Sequence, residues 1–453
     1  MGYERGNLVR RILIANRGEI ALRIIRTCRE MGIETIAVYS EADKDMPYVK
    51  EATKAVCIGE PPVNKSYLQA DKILAIAKSE KVDAIHPGYG FLSENAAFAR
   101  NTKNEGILFI GPDPNTIELM GDKIASRQTM EKAGVPVVPG SSSGIRTVEE
   151  AINLAEKIGY PVMLKASGGG GGIGMIRCEN EQALVKSFES TKSRAKAYFG
   201  SDEVFIEKYI ADARHIEVQI FGDSYGNIVH LFERDCSIQR RHQKVIEESP
   251  SPFLSASVRE KMYNTAIKAA KAVNYSNAGT IEFIVDENEN FYFLEMNTRL
   301  QVEHPVTEMV TGLDLVKWQI LVARGESLPL LQGEIQSTGH SIEFRLYAED
   351  PVRFLPSPGK ITTLNWNQFD GVRIDSGYEE GGTVTPFYDP MIAKCIFYGS
   401  TRKDAIRSAE MFFKNIQIEG IKTNAPLFST ILENEDFRNG KYTTNFLTKQ
   451  LVK

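Results

Sequence analysis

A run of glycines between two apolar segments constrains the fold more than any other feature of the chain. The glycines occupy Gly168 to Gly172, and Lys165 lies in the apolar segment before them. Glycine lets backbone amides turn toward an anion and lets the chain approach it closely. Since the run lies between two predicted strands, we interpret it as the tip of a hairpin that covers phosphate groups. It lacks the ending of a Walker A loop and the spacing of a dinucleotide fingerprint. The alternative is a flexible linker.

Strand and helix alternate along the first third of the chain. Apolar residues at 12–15 and 35–39 predict buried strands, and the segment 19–31 between them carries a helical apolar stripe. This alternation predicts a parallel sheet with helices packed on it. The prolines and serines near 135–140 predict a domain boundary. Further along we predict a helix (148–158), strands on both sides of the glycines (161–166 and 175–178), a helix near 181–196, and then a strand-rich region.

The composition excludes several classes of protein. The 453 residues carry a net charge of −5 and have a pI of about 5.9, which argues against a nucleic-acid-binding face. No stretch approaches the ~18 consecutive apolar residues that span a bilayer, and the polar first residues lack the apolar core of a signal peptide. The five cysteines show neither a disulfide framework nor a zinc spacing. We therefore expect a cytoplasmic protein that binds neither nucleic acid nor a membrane.

Two acids face each other in a predicted hairpin. Glu282 and Glu295 lie in apolar strands that are joined by a turn-forming segment. If Val285 pairs with Tyr292, the two acids fall opposite each other, with Cβ atoms about 5 Å apart. Two such carboxylates repel each other unless a cation lies between them. With the amide oxygen of Asn297 they suit Mg²⁺ that bridges nucleotide phosphates. The alternative is a hairpin with an acidic face in water.

The same alternation continues beyond this hairpin. Glu295, Asn297, Arg299, Gln301 and Glu303 share one parity, so an extended chain would present all of them on one face. Arg299 can hold a small anion through two hydrogen bonds, and Glu303 beside it can serve as a general base. The alternative is an ordinary half-exposed strand.

A second polar stretch, from Glu233 to Lys244, becomes strongly basic toward its end. Because the acidic chain has no other basic patch, a pocket for a small anion is a better interpretation than a nucleic-acid surface. Cys236 lies among the arginines of this stretch. It is either a thiol of lowered pKa or a buried side chain.

Several long motifs occur in order along the chain: residues 14–21, 86–95, 120–123, the glycine run, 207–209, 233–244, 295–303 and 354–360. Together they closely resemble the biotin carboxylase component of biotin-dependent carboxylases, within the ATP-grasp superfamily. The resemblance implies an α/β and α+β fold in three parts. These are a Rossmann-like N-terminal domain (1–120), an ATP-grasp domain (121–330) with a mobile glycine-rich lid at about 138–207, and a mixed α/β C-terminal domain (331–453).

The resemblance also implies roles for individual residues. The implied nucleotide contacts are Lys123 and Lys165 at the phosphates, Gly170 and Gly171 in the lid, Glu207 and Lys208 at the adenine, and His215, Gln239 and His242 at the ribose and phosphates. Glu282, Glu295 and Asn297 match the Mg²⁺ (or Mn²⁺) site. Lys244, Arg299, Gln301, Val302 and Glu303 match the bicarbonate site, and Arg345 matches the arginine beside the reacting biotin. In this family the base deprotonates bicarbonate, ATP converts it to carboxyphosphate, and biotin receives the carboxyl group.

The implied reaction is the first half-reaction of an acetyl-CoA, acyl-CoA or pyruvate carboxylase, the first of which serves fatty acid biosynthesis. The chain contains no Ala-Met-Lys-Met biotinylation motif. We therefore expect a separate biotin carboxyl carrier protein and a separate carboxyltransferase, and from the family a homodimer. Ile173 stands where many relatives have Arg or Lys, so one contact of the lid is expected to differ. Another ATP-grasp ligase, joining a carboxylate to an amine or forming carbamoyl phosphate, and a non-catalytic nucleotide-binding module are the alternatives.

Overall fold

The N-terminal part of the chain is built on a parallel sheet. A computed structural model describes residues 8–166, 175–199 and 202–451. Its first elements are β1 (Arg11–Ile14), α1 (Gly18–Glu30), β2 (Glu34–Ser40), α2 (Pro47–Glu51), β3 (Lys54–Gly59), α3 (Ala70–Ser79), β4 (Ala84–His86), α4 (Ala96–Asn104) and β5 (Leu108–Phe109). Neighbouring strands run parallel in the order β3-β2-β1-β4-β5. This confirms the predicted Rossmann-like alternation. Ile12, Leu13 and Ile14 of β1 are completely buried, as expected for a strand covered on both faces.

A smaller unit follows, which we term the lid unit (residues 138–207). Two helices, α5 (Pro114–Gly121) and α6 (Lys123–Lys132), lead into it. It contains α7 (Val148–Ile158), β6 (Val162–Ala166), β7 (Met175–Cys178), α8 (Glu181–Phe199) and β8 (Val204–Lys208). The strands pair antiparallel in the order β7-β6-β8, and the unit buries its apolar side chains in a core of its own.

The glycine run, Gly168 to Gly172, lies entirely outside the described residues. The predicted phosphate contacts Gly170 and Gly171, and Ile173 beside them, lie outside the described ranges. The strands on either side are described and pair with each other, with Lys165 opposite Met175. The run therefore joins two neighbouring antiparallel strands, as the hairpin interpretation predicted.

The largest sheet takes its strands from two stretches of the chain. The first stretch contains β9 (Arg214–Gly222), β10 (Ile228–Arg240), β11 (Gln243–Ser249), α9 (Ala256–Ala272), β12 (Asn277–Val285), β13 (Phe291–Asn297), α10 (His304–Thr311) and α11 (Leu315–Ala323). The second contains β14 (His340–Tyr347), β15 (Gly359–Lys360), β16 (Thr363–Asn365), β17 (Val372–Ser376), β18 (Thr383–Val384), β19 (Met391–Gly399), α12 (Arg402–Asn415), β20 (Gln417–Glu419), α13 (Ala425–Glu433), α14 (Glu435–Arg438) and α15 (Phe446–Leu451).

Eight strands form this sheet in the order β13-β12-β9-β10-β11-β14-β19-β17, and all neighbours are antiparallel. Because β11 pairs with β14, the sheet is continuous across residue 330, where the sequence predicts a domain boundary. Two short ladders, β15 with β18 and β16 with β20, lie outside it. Within the described ranges, no helix is both long enough and apolar enough to cross a membrane.

Arg234 joins the central strands of the large sheet to a helix. This side chain on β10 is completely buried and donates to Glu217 on β9 at 2.5 Å and to Gln219 at 2.7 Å. It also donates to Thr307 on α10 at 2.9 Å and to Thr280 on β12 at 3.2 Å. Burial lowers the pKa of the guanidinium, but Glu217 and other acidic neighbours raise it by a larger amount. The net effect is a raised pKa, so Arg234 stays charged. Its contacts fix the strands that carry the site described below.

Arg234→Met is expected to destabilise the fold, because it removes one of the cations that compensate the buried Glu217. Breaking a buried pair from one side costs about 3–5 kcal/mol. The midpoint of thermal unfolding, followed by circular dichroism, should fall by several degrees. Arg100→Met is the matched control, since Arg100 pairs with Glu118 at 2.7 Å at the surface, where such pairs contribute about 0–1 kcal/mol. Equal midpoints for the two variants would contradict the central role of Arg234.

Candidate active site

Three carboxylates form a row across neighbouring strands of the large sheet. Glu217 on β9 lies opposite Glu282 on β12, and Glu282 lies opposite Glu295 on β13. Glu217 and Glu282 are buried, and Glu295 is half-buried. Directly opposed side chains on paired strands have Cβ atoms about 5 Å apart, so the row needs positive charge nearby.

The predicted opposition of Glu282 and Glu295 is confirmed, but the register on which it was based is wrong. Val285 pairs with Phe291 and not with Tyr292. A shift in register between Glu282 and the next residue leaves Leu294 as an extra residue on β13. Such a β-bulge places two residues of one strand opposite one residue of its partner. The bulge therefore restores the opposition of the two acids.

Lys244 on β11 holds three carboxylates at once. Its Nζ lies 2.5 Å from Glu217, 2.8 Å from Glu282 and 2.6 Å from Glu303. Burial lowers the pKa of the ammonium group, but these three acids raise it well above its usual value, so it stays charged. Burial likewise raises the pKa of Glu282, and Lys244 and His215 outweigh that effect and lower it well below its usual value. Lys244 and Glu282 are thus both charged and compensate each other.

Glu303 is completely buried between two cations. It directly precedes α10, and its second oxygen accepts a hydrogen bond from Nη2 of Arg345 at 2.9 Å. Arg345 on β14 also donates through Nε to Glu247 at 2.6 Å. Burial raises the pKa of the Glu303 carboxyl, but Lys244, Arg345 and Arg234 lower it well below its usual value. Glu303 is therefore a carboxylate at neutral pH.

The polar run after β13 is not one continuous strand. β13 ends at Asn297. Glu94, from the N-terminal part, accepts hydrogen bonds from the backbone N–H of Thr298 at 3.0 Å and from Nε of Arg299 at 2.9 Å. These contacts turn the chain out of the sheet, so the predicted extended conformation is wrong from Thr298 onward.

Side chains of this run nevertheless converge on Glu282. Asn297 Nδ2 and Gln301 Nε2 donate to the same oxygen of Glu282 at 2.9 and 3.0 Å. Arg299 donates to the side-chain oxygen of Gln301 at 2.8 Å and to that of Asn297 at 3.1 Å. A turn thus gathers the amide and guanidinium groups that the sequence pattern predicted to share one strand face.

Glu207, predicted to contact the adenine, is paired with two cations. Glu207 on β8 forms an ion pair with Lys165 on β6 and a second one, at 3.2 Å, with Arg127 on α6. Lys123 is the first residue of α6. Burial lowers the pKa of the Lys123 ammonium, while Glu295 acts in the opposite direction. Lys123 thus lies within electrostatic reach of the acidic row.

The two predicted histidines have different surroundings. Nε2 of His215 lies 2.9 Å from Glu282, and its Nδ1 lies 2.8 Å from Nε2 of Gln239. Burial lowers the pKa of His215, but Glu282 more than reverses this effect. His242 lies in the two-residue turn between β10 and β11, where Arg241 and His242 have φ angles of 50° and 67°. Burial lowers the pKa of His242, so its ring is neutral at pH 7.

Lys208 and Val302 are engaged away from the acidic row, whereas Cys236 lies close to Glu217 and Glu303. Nζ of Lys208 donates to the carbonyl oxygen of Gly159 at 2.7 Å. The carbonyl oxygen of Val302 accepts from Nζ of Lys394 at 2.9 Å. Cys236 is completely buried, and burial raises the pKa of its thiol well above the usual value. The buried alternative for Cys236 is therefore correct, and the reactive thiol is not.

Three acids that no sequence pattern predicted for the site pair with the predicted cations: Glu94, Glu217 and Glu247. Glu217 had a detectable signal, because His215, Glu217 and Gln219 alternate along one predicted strand and must share a face. Glu94 and Glu247 have no comparable local pattern. Only the tertiary fold brings them to their partners.

The acidic row fits a divalent cation at its Glu295 end. Lys244 compensates Glu217 and Glu282 but does not contact Glu295. In the described part of the chain, no hydrogen-bond donor contacts the Glu295 carboxylate. Burial and the neighbouring Glu282 raise its pKa. Two carboxylates and the Asn297 amide offer the oxygen ligands that Mg²⁺ prefers, and a cation there removes the repulsion between the acids.

Two buried carboxyl groups, Glu247 and Glu343, lie near Arg345. Glu247 on β11 is directly opposite Glu343 on β14, and both side chains are completely buried. Burial raises the pKa of Glu247 to about 7 and raises that of Glu343 well above its usual value. Among the described residues, one oxygen of Glu247 and both oxygens of Glu343 have no hydrogen-bond partner. These acids differ sharply from the ionised acids around Lys244.

A parallel N-terminal sheet, a small lid unit and an acidic antiparallel sheet define an ATP-dependent ligase of the ATP-grasp class. Three sequence families match successive parts of the chain. "Biotin carboxylase, N-terminal domain" matches residues 8–117, "Carbamoyl-phosphate synthase L chain, ATP binding domain" matches 122–331, and "Biotin carboxylase C-terminal domain" matches 343–449.

Individual relatives narrow this class. The chain is 58% identical over 441 residues to biotin carboxylase 2 of Bacillus subtilis, covering 97% of this chain and 99% of that protein. The crystal structure of a biotin carboxylase-beta-gamma-ATP complex from Campylobacter jejuni has a TM-score of 0.96 at 50% identity, covering 98% and 99% of the two chains. The biotin carboxylase domain dimer of the Hydrogenobacter thermophilus 2-oxoglutarate carboxylase, solved with MgADP, ADP and bicarbonate, has a TM-score of 0.95 at 48% identity and covers 98% of each chain. The chain therefore belongs to the biotin carboxylase family, as its motifs predicted.

The stability of Glu343→Gln relative to the parent chain is expected to increase as the pH rises. Burial raises the pKa of Glu343 in the folded state, so the folded chain keeps a proton that the unfolded chain releases above about pH 4.3. That contribution to stability is complete below this pH and is lost as the pH rises toward the folded pKa. Glutamine has no proton to lose.

The measurement is the difference in thermal midpoint between variant and parent at about pH 5 and about pH 8. Glu433→Gln, at the exposed end of α13, is the control and should show no trend. A difference for Glu343→Gln that stays constant with pH would mean that this carboxyl is ionised throughout.

Proposed function

We propose that the chain catalyses the ATP- and bicarbonate-dependent carboxylation of biotin held by a separate carrier protein. The observation that carries this proposal is the position of Glu303, a buried carboxylate 2.6 Å from Lys244 and 2.9 Å from Arg345. A base held between two fixed cations can bind a small anion, take its proton and stabilise negative charge on a second reactant. Membership of the biotin carboxylase family supports the same reaction.

Bicarbonate binds beside Lys244, Arg299 and Gln301, and Glu303 takes its proton. Glu303 is ionised but weakly basic while both Lys244 and Arg345 contact it, because they lower the pKa of its carboxyl. An anion that shares Lys244 withdraws part of this stabilisation and raises the pKa of Glu303 toward the working range. Substrate binding thus makes Glu303 a better base.

ATP lies between the lid unit and the acidic row. Lys123 and Lys165 neutralise its phosphates, while Glu282, Glu295 and Asn297 hold Mg²⁺. When bound, Mg²⁺ neutralises charge on the transferred phosphoryl group. The Hydrogenobacter relative was solved with MgADP and bicarbonate together, which supports this arrangement.

Arg345 faces the biotin. An oxygen of deprotonated bicarbonate attacks the γ-phosphorus of ATP, which gives carboxyphosphate and ADP. Carboxyphosphate yields CO₂ and phosphate, the phosphate takes the N1 proton of the ureido ring, and N1 attacks CO₂. Arg345 stabilises the negative charge on the ureido oxygen, and Glu247 orients it through the 2.6 Å contact with Nε. The lid unit excludes water from this short-lived intermediate.

A biotin carboxyl carrier protein and a carboxyltransferase complete the proposed enzyme, and we propose a homodimer in the cytoplasm. The Hydrogenobacter relative was solved as a dimer. That relative belongs to a 2-oxoglutarate carboxylase, and it is 48% identical to this chain. Similar biotin carboxylase chains therefore occur with different acceptors. We infer that the transferase, and not this chain, selects among acetyl-CoA, other acyl-CoA molecules and pyruvate.

Free biotin is expected to stimulate bicarbonate-dependent release of ADP by the isolated chain, and Glu303→Gln is expected to reduce this rate by about 10²-fold or more because the base is lost. A coupled ADP assay measures both. Glu118→Gln, on the surface, should retain the parent rate. ADP release without any effect of biotin would favour another ATP-grasp ligase. No ATP turnover under any condition would favour a non-catalytic nucleotide-binding module.

Glu295→Gln is expected to raise the Mg²⁺ concentration needed for half-maximal activity by at least about ten-fold, because it removes a charged oxygen ligand. Titration of Mg²⁺ at saturating ATP and bicarbonate measures this. Glu287→Gln, in the exposed turn of the same hairpin, is the matched control. An unchanged Mg²⁺ requirement in Glu295→Gln would remove Glu295 from the proposed metal site.

A further inference from the structure

The lid unit joins the rest of the chain through two backbone segments, residues 139–141 and 206–208, which we term the neck. The segments are hydrogen-bonded to each other, with Ser141 N–H donating to the carbonyl oxygen of Ile206 at 2.8 Å. At Gly140 they are so close that a Cβ atom would lie 2.4 Å from that same oxygen. The neck is therefore a closely paired connection in which side chains have little room.

One side chain from outside the lid unit contacts the second neck segment and the residue just before the first. Arg127 on α6 is buried, and its Nη2 donates to the carbonyl oxygen of Val138. Its Nη1 lies 3.2 Å from one carboxylate oxygen of Glu207, and Lys165 is paired with the other. Glu207 is buried as well. It therefore shares its charge between a cation inside the lid unit and a cation outside it.

In the proposed function, Lys165 binds a second anionic group, the phosphates of ATP. The phosphates of ATP carry more negative charge than one carboxylate, so they compete with Glu207 for the ammonium group. A buried carboxylate that loses its cation is strongly destabilised. The nearby phosphates would also repel it. Some other positive charge must remain on Glu207 if Lys165 is to turn toward the nucleotide.

We propose that Arg127 is a positioning residue for ATP: it keeps Glu207 compensated while Lys165 turns to the phosphates. This inference rests on the proposed function, in which Lys165 binds ATP. Arg127 suits the task because a guanidinium group does not lose its proton and can hold two acceptors at once. Its bond to Val138 keeps it in place when Lys165 moves. The helix that carries it also begins with Lys123, a second proposed phosphate contact.

The test compares binding of ATP and of adenosine by the full chain, with isothermal titration calorimetry on the parent, Arg127→Met and Gln128→Met. Gln128 is the matched control, since it is the next residue on α6 and donates to the carbonyl oxygen of Ser142 at 2.6 Å. Arg127→Met is expected to weaken ATP binding about ten- to a hundred-fold. Adenosine has no phosphates to attract Lys165, so its affinity should not change. Gln128→Met should leave both affinities at the parent values.

Two outcomes would overturn the role of Arg127: ATP affinity equal to the parent's, or an equal loss of affinity for ATP and adenosine. A parent chain that binds no ATP would instead refute the proposed function itself. These failures are distinguishable because the parent is measured first.

A second comparison holds even if Arg127→Met does not fold. Glu207→Gln removes the buried charge that Arg127 compensates. Adding Arg127→Met to Glu207→Gln should then cost no further ATP affinity. A further loss of about ten-fold in the double variant would show that Arg127 acts on ATP by another route, and would overturn the inference.

Discussion

The contact of one buried ammonium group with three carboxylates is the interaction on which the rest of the site depends. Lys244 on β11 meets Glu217 from β9, Glu282 from β12 and Glu303 from the start of α10. Removing these acids from water costs several kcal/mol for each ionised group, and one cation cannot compensate all three. Two buried arginines add the missing charge, one on Glu217 and one on Glu303. The strands, the helix and the charges are therefore mutually dependent, and none of the acids could be buried there alone.

The carboxylates of the acidic row differ in how much positive charge lies beside them. This difference places a cation site at one end of the row and an anion site at the other. At the Lys244 end, every acid contacts a positive group, and Arg299 and Arg345 leave that region favourable to an anion. At the other end, Glu295 has no such partner among the described residues, and burial and Glu282 raise its pKa. A divalent cation and a small anion can therefore bind a few residues apart along one sheet, each where the protein has left an excess of the opposite charge.

Local patterns predicted the parts of the site but not the contacts that assemble them. The helix at Val148–Ile158 was predicted with its observed bounds, because its apolar stripe and the cap at Thr147 are local signals. The opposition of Glu282 and Glu295 was predicted although the register was wrong, because the bulge at Leu294 offsets the assumed pairing. The end of β13 was not predictable in the same way. It depends on Glu94, which lies 204 residues before Thr298 and meets it only in the fold. The residue pattern indicated a Mg²⁺ site at Glu282 and Glu295 and a base at Glu303, and the resemblance to a family supplied the nucleotide and biotin contacts.

Two of the cations proposed to bind substrates, Lys165 and Lys244, are already paired with carboxylates of the protein. Lys165 pairs with Glu207, and Lys244 pairs with Glu303. Such pairs hold the cations in position, so less side-chain entropy is lost when a substrate arrives. Each substrate anion must then draw its cation away from an acid. In the proposed reaction, Glu303 gains basicity because its pKa rises as Lys244 is shared with bicarbonate. Glu207 has Arg127 as a second cation, 3.2 Å away. Glu303 also keeps an arginine, Arg345, so it remains beside a positive charge even while Lys244 binds the substrate anion.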